Sequence, residues 1–302
     1  MRKSDWAGVF PAITTPFHPD GALDERFLAE HARWLIESGC TGLVALGSLG
    51  EGATLTFAEK VRILEILRGA IGTKVPLVAG ISGLSTAETV ALARAARETG
   101  CDGLMVLPPY VYLGDWRETQ AHFSAIISAT PLSCMLYNNP IAYGTDLSAR
   151  DVEEFADRHA NVHAVKDSSG DVRRLTAYRE LLGERMAIFA GLDDMVLEST
   201  LMGGDGWIAG LVNAFPEESV RVFELGREGR VAEARKLYEW FLPLLRFDTV
   251  VKFVQLIKLT QARVGKGSET VRPPRLPLTG QERAEALAVI EAKIESRAAV
   301  LV

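Results

Sequence analysis

The chain has 302 residues, 48% of them hydrophobic and 24% charged, with a formal net charge of −6. These proportions describe a globular protein with enough apolar side chains for a sizeable core, and the length fits two ordinary domains or one large α/β barrel with an appendage. The acidic balance, with no basic cluster to offset it, argues against a nucleic-acid or anionic-membrane surface, and three cysteines without a CxxC pair argue against a disulfide framework.

The first ten residues, MRKSDWAGVF, lack the apolar core of a secretory signal. Residues 119–145 contain no Asp, Glu, Lys or Arg, but Pro131, Asn138, Asn139 and Pro140 interrupt them. No membrane segment is predicted, and a reducing cytoplasm is the expected location.

In chain order, GVFPAI (8–13) is the first expected strand. A helix follows, with Leu28, Ala32, Leu35 and Ile36 at helical spacing and Gly39 just beyond its end. GLVALG (42–47) is the second strand; Thr56 with Glu59 reads as a capping box opening a helix, and PLVAG (76–80) as the third strand. Ser85 with Glu88 opens the next helix, which ends at Gly100 and leads into GLMVLP (103–108). ESGCTGLVALGS (37–48) and ETGCDGLMVLPP (98–109) thus use one helix–turn–strand unit twice. Asp115 with Glu118 opens a helix before SCMLY (133–137); VHAVK (162–166), AIFAG (187–191) and GWIAG (206–210) complete the set. Near-continuous apolar runs suit parallel strands covered on both faces. Eight of them alternating with helices predict a (β/α)8 TIM barrel over residues 1–229. Residues 230–302 predict a helical region: helices in VAEARKLYEWFLPLL and VVKFVQLIKLTQARVG, a proline-rich connection, and a last helix capped by Thr279 and Glu282.

In such a barrel chemistry belongs at the C-terminal ends of the strands. Lys166 ends the sixth strand and Tyr137 the fifth. A strand-end lysine is more often an ordinary surface residue, and a buried tyrosine more often a packed one; the two on neighbouring strands favour function. Lysine chemistry of this kind uses the neutral amine, which a dry barrel interior favours and which adds to a carbonyl or imine carbon to form a Schiff base. A neighbouring phenol can move the protons of that addition. The turn GSLGE (47–51) offers backbone N–H groups and the Ser48 hydroxyl to a carboxylate, though it could be an ordinary strand-to-loop turn. Glu51 reads as a loop-fixing residue rather than an acid catalyst. The five histidines show no ligand spacing, and neither a Walker nor a GxGxxG pattern occurs, so no metal and no cofactor are expected.

GSLGE, YNNP and AVKDSSGD, in this order and at these separations, resemble the dihydrodipicolinate synthase / N-acetylneuraminate lyase family over nearly the whole chain. The resemblance implies a (β/α)8 barrel, a homotetramer, and a lysine that forms a Schiff base with a 2-oxo acid. It assigns the Schiff base to Lys166, proton relay to Tyr137, carboxylate binding to Ser48 and the backbone amide of Leu49 in the Gly47 turn, and pocket lining to Ile208. Three positions depart from the synthase: Leu49 replaces a hydroxyl residue, Val111 a tyrosine contributed across the subunit interface, and Ala142 the arginine that grips a second carboxylate. LGSLGE, YNNPIAY, KDSSGDVRR and DTVVKFVQLIK resemble a narrower branch, the Δ1-pyrroline-4-hydroxy-2-carboxylate deaminases of hydroxyproline breakdown. That branch implies a hydrolytic deamination giving 2,5-dioxopentanoate and ammonia. The alternatives are an aldolase or dehydratase for 2-keto-3-deoxy sugar acids, a dihydrodipicolinate synthase-like enzyme, and a non-catalytic 2-oxo acid binding protein. Leu49, Ile141, Ala142 and Ile208 predict an apolar pocket wall, which suits a small ring.

Overall fold

The computed structural model describes residues 1–299. Strands β1 (Gly8–Pro11), β2 (Leu43–Ala45), β3 (Leu77–Ile81), β4 (Gly103–Val106), β5 (Ser133–Asn138), β6 (Val162–Asp167), β7 (Ala187–Ala190) and β8 (Gly206–Ala209) form one sheet in the order β1-β8-β7-β6-β5-β4-β3-β2. The pairings are parallel, and a parallel bridge between Ala12 and Val44 joins the two end strands, so the sheet curls into the predicted (β/α)8 barrel.

Successive side chains on a strand point to opposite faces. One set, including Leu43, Leu77, Leu104, Leu136 and Val165, packs under the surrounding helices. The other, including Phe10, Val44, Val78, Met105, Met135, Ala164, Phe189 and Ile208, fills the inside of the barrel. Both sets are buried, which is why the strands read as continuous apolar runs. The N-terminal end is plugged. Trp6 lies 6.0 Å from both Phe10 and Phe189, measured between ring centres, and its indole N–H donates to Ser133 Oγ at 2.7 Å. A Cβ on Gly42 or Gly206 would occupy the space of the Phe10 or Phe189 ring. The open space of the barrel is therefore at its C-terminal end.

Thr56 with Glu59 and Asp115 with Glu118 form reciprocal capping boxes, and Gly39 and Gly100 follow their helices at φ of 99° and 84°. Two expected caps differ. Ser85 accepts from Glu88 N–H, but the Glu88 carboxylate accepts from Leu84 N–H at 3.4 Å, one residue before the cap, with Lys60 at 3.8 Å on its other oxygen. The last helix, Gly280–Ser296, starts after Thr279 with no side-chain cap, and Glu282 pairs with Lys252 at 2.5 Å. The helix expected from Val250 begins at Phe253: Val250 has an extended backbone (φ −117°, ψ 162°) that ends the preceding 3-10 turn Arg246–Thr249. Among the described residues no helix is long and apolar enough to cross a membrane.

His31 lies beneath the barrel wall, buried, with Nε2 3.1 Å from Asn213 Oδ1 and no partner for Nδ1. Charging the ring would add a buried N–H without an acceptor, and burial lowers the pKa from 6.5 to about 4. Below the unfolded value the unfolded chain takes up a proton that the folded chain refuses. The contribution of His31 is full above pH 6.5 and falls as pH drops toward about 4, by on the order of 3 kcal/mol. The denaturant midpoint should fall between pH 7 and pH 4.5, and His31→Gln should lose most of this dependence. An equal pH dependence in the variant would contradict the assignment.

Candidate active site

Tyr137 and Lys166 are direct register partners on β5 and β6. By the two-residue period they continue the inward sets Met135–Tyr137 and Ala164–Lys166, and each is 6% exposed. Lys166 Nζ lies 4.1 Å from the centre of the Tyr137 ring. Tyr137 Oη accepts from Asn139 Nδ2 at 2.9 Å. Asn139 also caps the short helix Pro140–Tyr143, its Oδ1 accepting from Ala142 N–H at 3.0 Å. That turn brings Tyr143 back over the mouth, where its hydroxyl is hydrogen-bonded to Ser48 Oγ. The Tyr143 ring stacks on Tyr110 at 5.5 Å and meets Tyr137 edge-on at 5.9 Å. Burial pushes the Tyr110 and Tyr143 phenols up, so both keep their protons at neutral pH.

The Gly47–Glu51 turn is held from below. Glu51, fully buried and at φ 54°, receives Lys258 Nζ at 2.5 Å and the Arg272 N–H at 3.0 Å. Lys258 completes its three donors on the Thr15 and Thr270 carbonyls. Thr15 Oγ1 donates to the Gly50 carbonyl at 2.6 Å. Glu51 thus fixes the loop and does not face the cavity. Among the described residues the N–H groups of Ser48 and Leu49 donate to no acceptor within the chain, leaving two donors beside the Ser48 hydroxyl. Such a turn can take a carboxylate.

Gly47, Ser48, Leu49, Tyr137, Lys166 and Ile208 all line one cavity of about 500 Å³. Leu49 also packs on Val254 and Ile257, which ties the turn to the C-terminal helices. Ala142 and Ile141 are on the rim as expected, but the wall is less apolar than the sequence suggests: Asn139, Tyr143, Asp248 and Thr249 line it as well. Val111 is 93% exposed and does not line the cavity. Asn139-Pro140 is a recognisable helix start that would have returned Tyr143 to the mouth. Asp248 and Thr249 carry no local signal, because they reach the barrel from the segment read as an appendage. Among the described residues no group of three or more His, Cys, Asp or Glu side chains could hold a metal ion.

The model of the dihydrodipicolinate synthetase family matches residues 5–293. The chain belongs to this family. It is 34% identical over 300 residues to the 4-hydroxy-tetrahydrodipicolinate synthase of Sorangium cellulosum, covering 98% of this chain and all of that one. It is 31% identical over 294 residues to the probable 2-dehydro-3-deoxy-D-pentonate aldolase of Escherichia coli, covering 96% and 97% of the two chains. Among solved structures, a family member from an Escherichia coli prophage, in complex with pyruvate, superposes with a TM-score of 0.90 at 29% identity, over 96% of this chain and 99% of that one. Members of this family are lyases and aldolases; the two relatives named by activity divide between condensation and cleavage, and none of the three names mentions a deaminase.

Proposed function

We propose that this chain is a lyase that forms a Schiff base between Lys166 Nζ and C2 of a small 2-oxo acid or cyclic 2-imino acid. The buried, inward-pointing amine at the cavity floor, beside the free N–H groups of the Ser48 turn, carries the reading. The substrate carboxylate takes the Ser48–Leu49 donors, which sets C2 against the amine. Nζ adds to C2, and Tyr137, with Asn139 on its oxygen, passes protons to and from the tetrahedral adduct.

In the finer reading the substrate is Δ1-pyrroline-4-hydroxy-2-carboxylate. Attack at C2 opens the ring, the C4 hydroxyl leaves as water, and hydrolysis of the resulting imines releases ammonia and 2,5-dioxopentanoate. Ala142 in place of a cation, with Leu49 and Ile208 on the wall, supports a ligand with one carboxylate and a compact ring. A second reading, cleavage of a 2-keto-3-deoxy sugar acid, has better support from the relatives' names and from the polar groups Asn139, Asp248 and Thr249 on the wall. Parallel assays of ammonia release from the cyclic imine and pyruvate release from 2-dehydro-3-deoxy-pentonate separate the two. Ammonia release would decide for the deaminase, and pyruvate release alone for the aldolase. A homo-oligomer belongs to the same proposal, supported by the exposed apolar run Val111, Tyr112 and Leu113, and a monomer in sedimentation would contradict it.

A further inference from the structure

Two carboxyl groups meet at Gly210, the residue after β8, and they are unequally supplied with donors. Asp193, fully buried, accepts from Trp207 Nε1 at 3.0 Å, Gly210 N–H at 3.0 Å and Leu211 N–H at 2.7 Å. Asp248 arrives from the turn Arg246–Thr249 and places Oδ1 where a Cβ on Gly210 would stand, so this arrangement requires glycine. Among the described residues no side chain donates to its carboxyl group, the backbone N–H of Asp193 lies beside it, and its half-buried side chain lines the cavity that holds Lys166. Two neighbouring carboxylates do not both ionise readily, and the one with the hydrogen-bond donors keeps the charge. That one is Asp193; the shared proton belongs on Asp248.

The surrounding charges agree. Burial and Asp193 push the Asp248 carboxyl well above the usual carboxylate range; Asp194 adds to this, and Lys166 opposes it. Arg246, on the same turn, acts on Asp194. Burial raises Asp193 itself only to about 6, because its three donors and Lys166 favour the charge. At neutral pH the pair is therefore one carboxylate and one carboxylic acid.

We propose that Asp248 is a catalytic acid that protonates a hydroxyl leaving from C4 of the Lys166-bound substrate, so that the site eliminates water instead of breaking the C3–C4 bond. The inference rests on the Schiff-base reading of Lys166. The C3 proton leaves through the hydroxyl groups around Tyr137, and its C–H pair forms the enamine. The enamine then expels the C4 oxygen with its bonding pair. That oxygen takes the Asp248 proton and departs as water, and solvent reprotonates Asp248. Cleavage between C3 and C4 needs the opposite transfer, removal of the C4 hydroxyl proton by a base. A protonated carboxyl cannot do this. Elimination from 2-dehydro-3-deoxy-pentonate, followed by tautomerisation, gives 2,5-dioxopentanoate, whereas cleavage gives pyruvate and glycolaldehyde. The cyclic imine carries its hydroxyl on the same carbon.

The test compares wild type and Asp248→Asn in two assays. Borohydride with pyruvate reads the lysine adduct, and product analysis over pH 5–10 with both substrates reads turnover. The wild type should form the adduct and give 2,5-dioxopentanoate. Asp248→Asn should form the adduct to within about twofold, lose roughly 10²- to 10⁴-fold in kcat, and lose the fall in kcat on the alkaline side. The proposal is overturned by a variant turning over within threefold of wild type, or by loss of the adduct together with turnover, which marks a structural role. A wild type that yields pyruvate and glycolaldehyde, or leaves both substrates intact, also overturns it. Absence of the adduct in the wild type defeats the Schiff-base reading first, and this inference with it.

Discussion

Lys166→Ala should fold and lose at least roughly 10³-fold in turnover, the scale on which removal of a covalent nucleophile acts. A second variant separates nucleophilicity from charge. Lys166→Arg keeps a cation of similar reach, but guanidinium stays protonated and presents no free lone pair. If Lys166 worked as a positive charge holding an anion, arginine would keep a large part of the activity. If it bonds to C2, arginine is as inactive as alanine. The site favours the second outcome: the Ser48 turn already offers two free N–H donors to an anion, and the amine lines the same cavity. Steady-state kcat on whichever substrate is turned over, with a melting curve for each variant, checks this. Substantial activity in Lys166→Arg would contradict covalent catalysis.

Breaking the Glu51–Lys258 pair should cost about 3–5 kcal/mol, the largest single loss expected away from the apolar core. Neither side chain meets solvent: their exposures are 0% and 3%. Lys258→Met would leave a buried carboxylate with only the Arg272 N–H at 3.0 Å and the more distant Arg275 at 3.8 Å. An exposed pair such as Arg26–Glu30 provides the contrast. Its side chains are 88% and 51% exposed, and solvent screening leaves its loss with little effect on stability. Because Glu51 pins the Ser48 turn, Glu51→Gln or Lys258→Met should also raise KM more than it lowers kcat. The double variant Glu51→Gln/Lys258→Met should recover part of the stability, since it leaves no lone buried charge. Denaturant midpoints of the four proteins measure this. A single-variant loss under 1 kcal/mol would contradict the buried-pair account.

Much of the barrel was legible in the sequence for one physical reason. Parallel strands buried on both faces must be apolar at every position, and eight short runs separated by capped helices are hard to arrange otherwise. The ends of those runs then point to Tyr137 and Lys166, because a polar group closing an apolar strand lies at the rim. What stayed hidden depends on contacts far apart in sequence. The ion pair of Glu88 with Lys60, 28 residues earlier, is one such contact. Asp248 reaches the cavity because the chain breaks at Val250 and crosses the barrel mouth before the helix Phe253–Arg263. Tyr143 lies between these cases. The Asn139-Pro140 start predicts the turn, but the hydrogen bond to Ser48 needs β2 and β5 in their places around the barrel.

The most direct measurement is reductive trapping. Purified protein incubated with pyruvate and borohydride, digested and analysed by mass, should carry one reduced pyruvyl group on the peptide containing Lys166, and none in Lys166→Ala. Unmodified Lys166 under these conditions, or modification spread over surface lysines, would contradict the covalent role given to this amine.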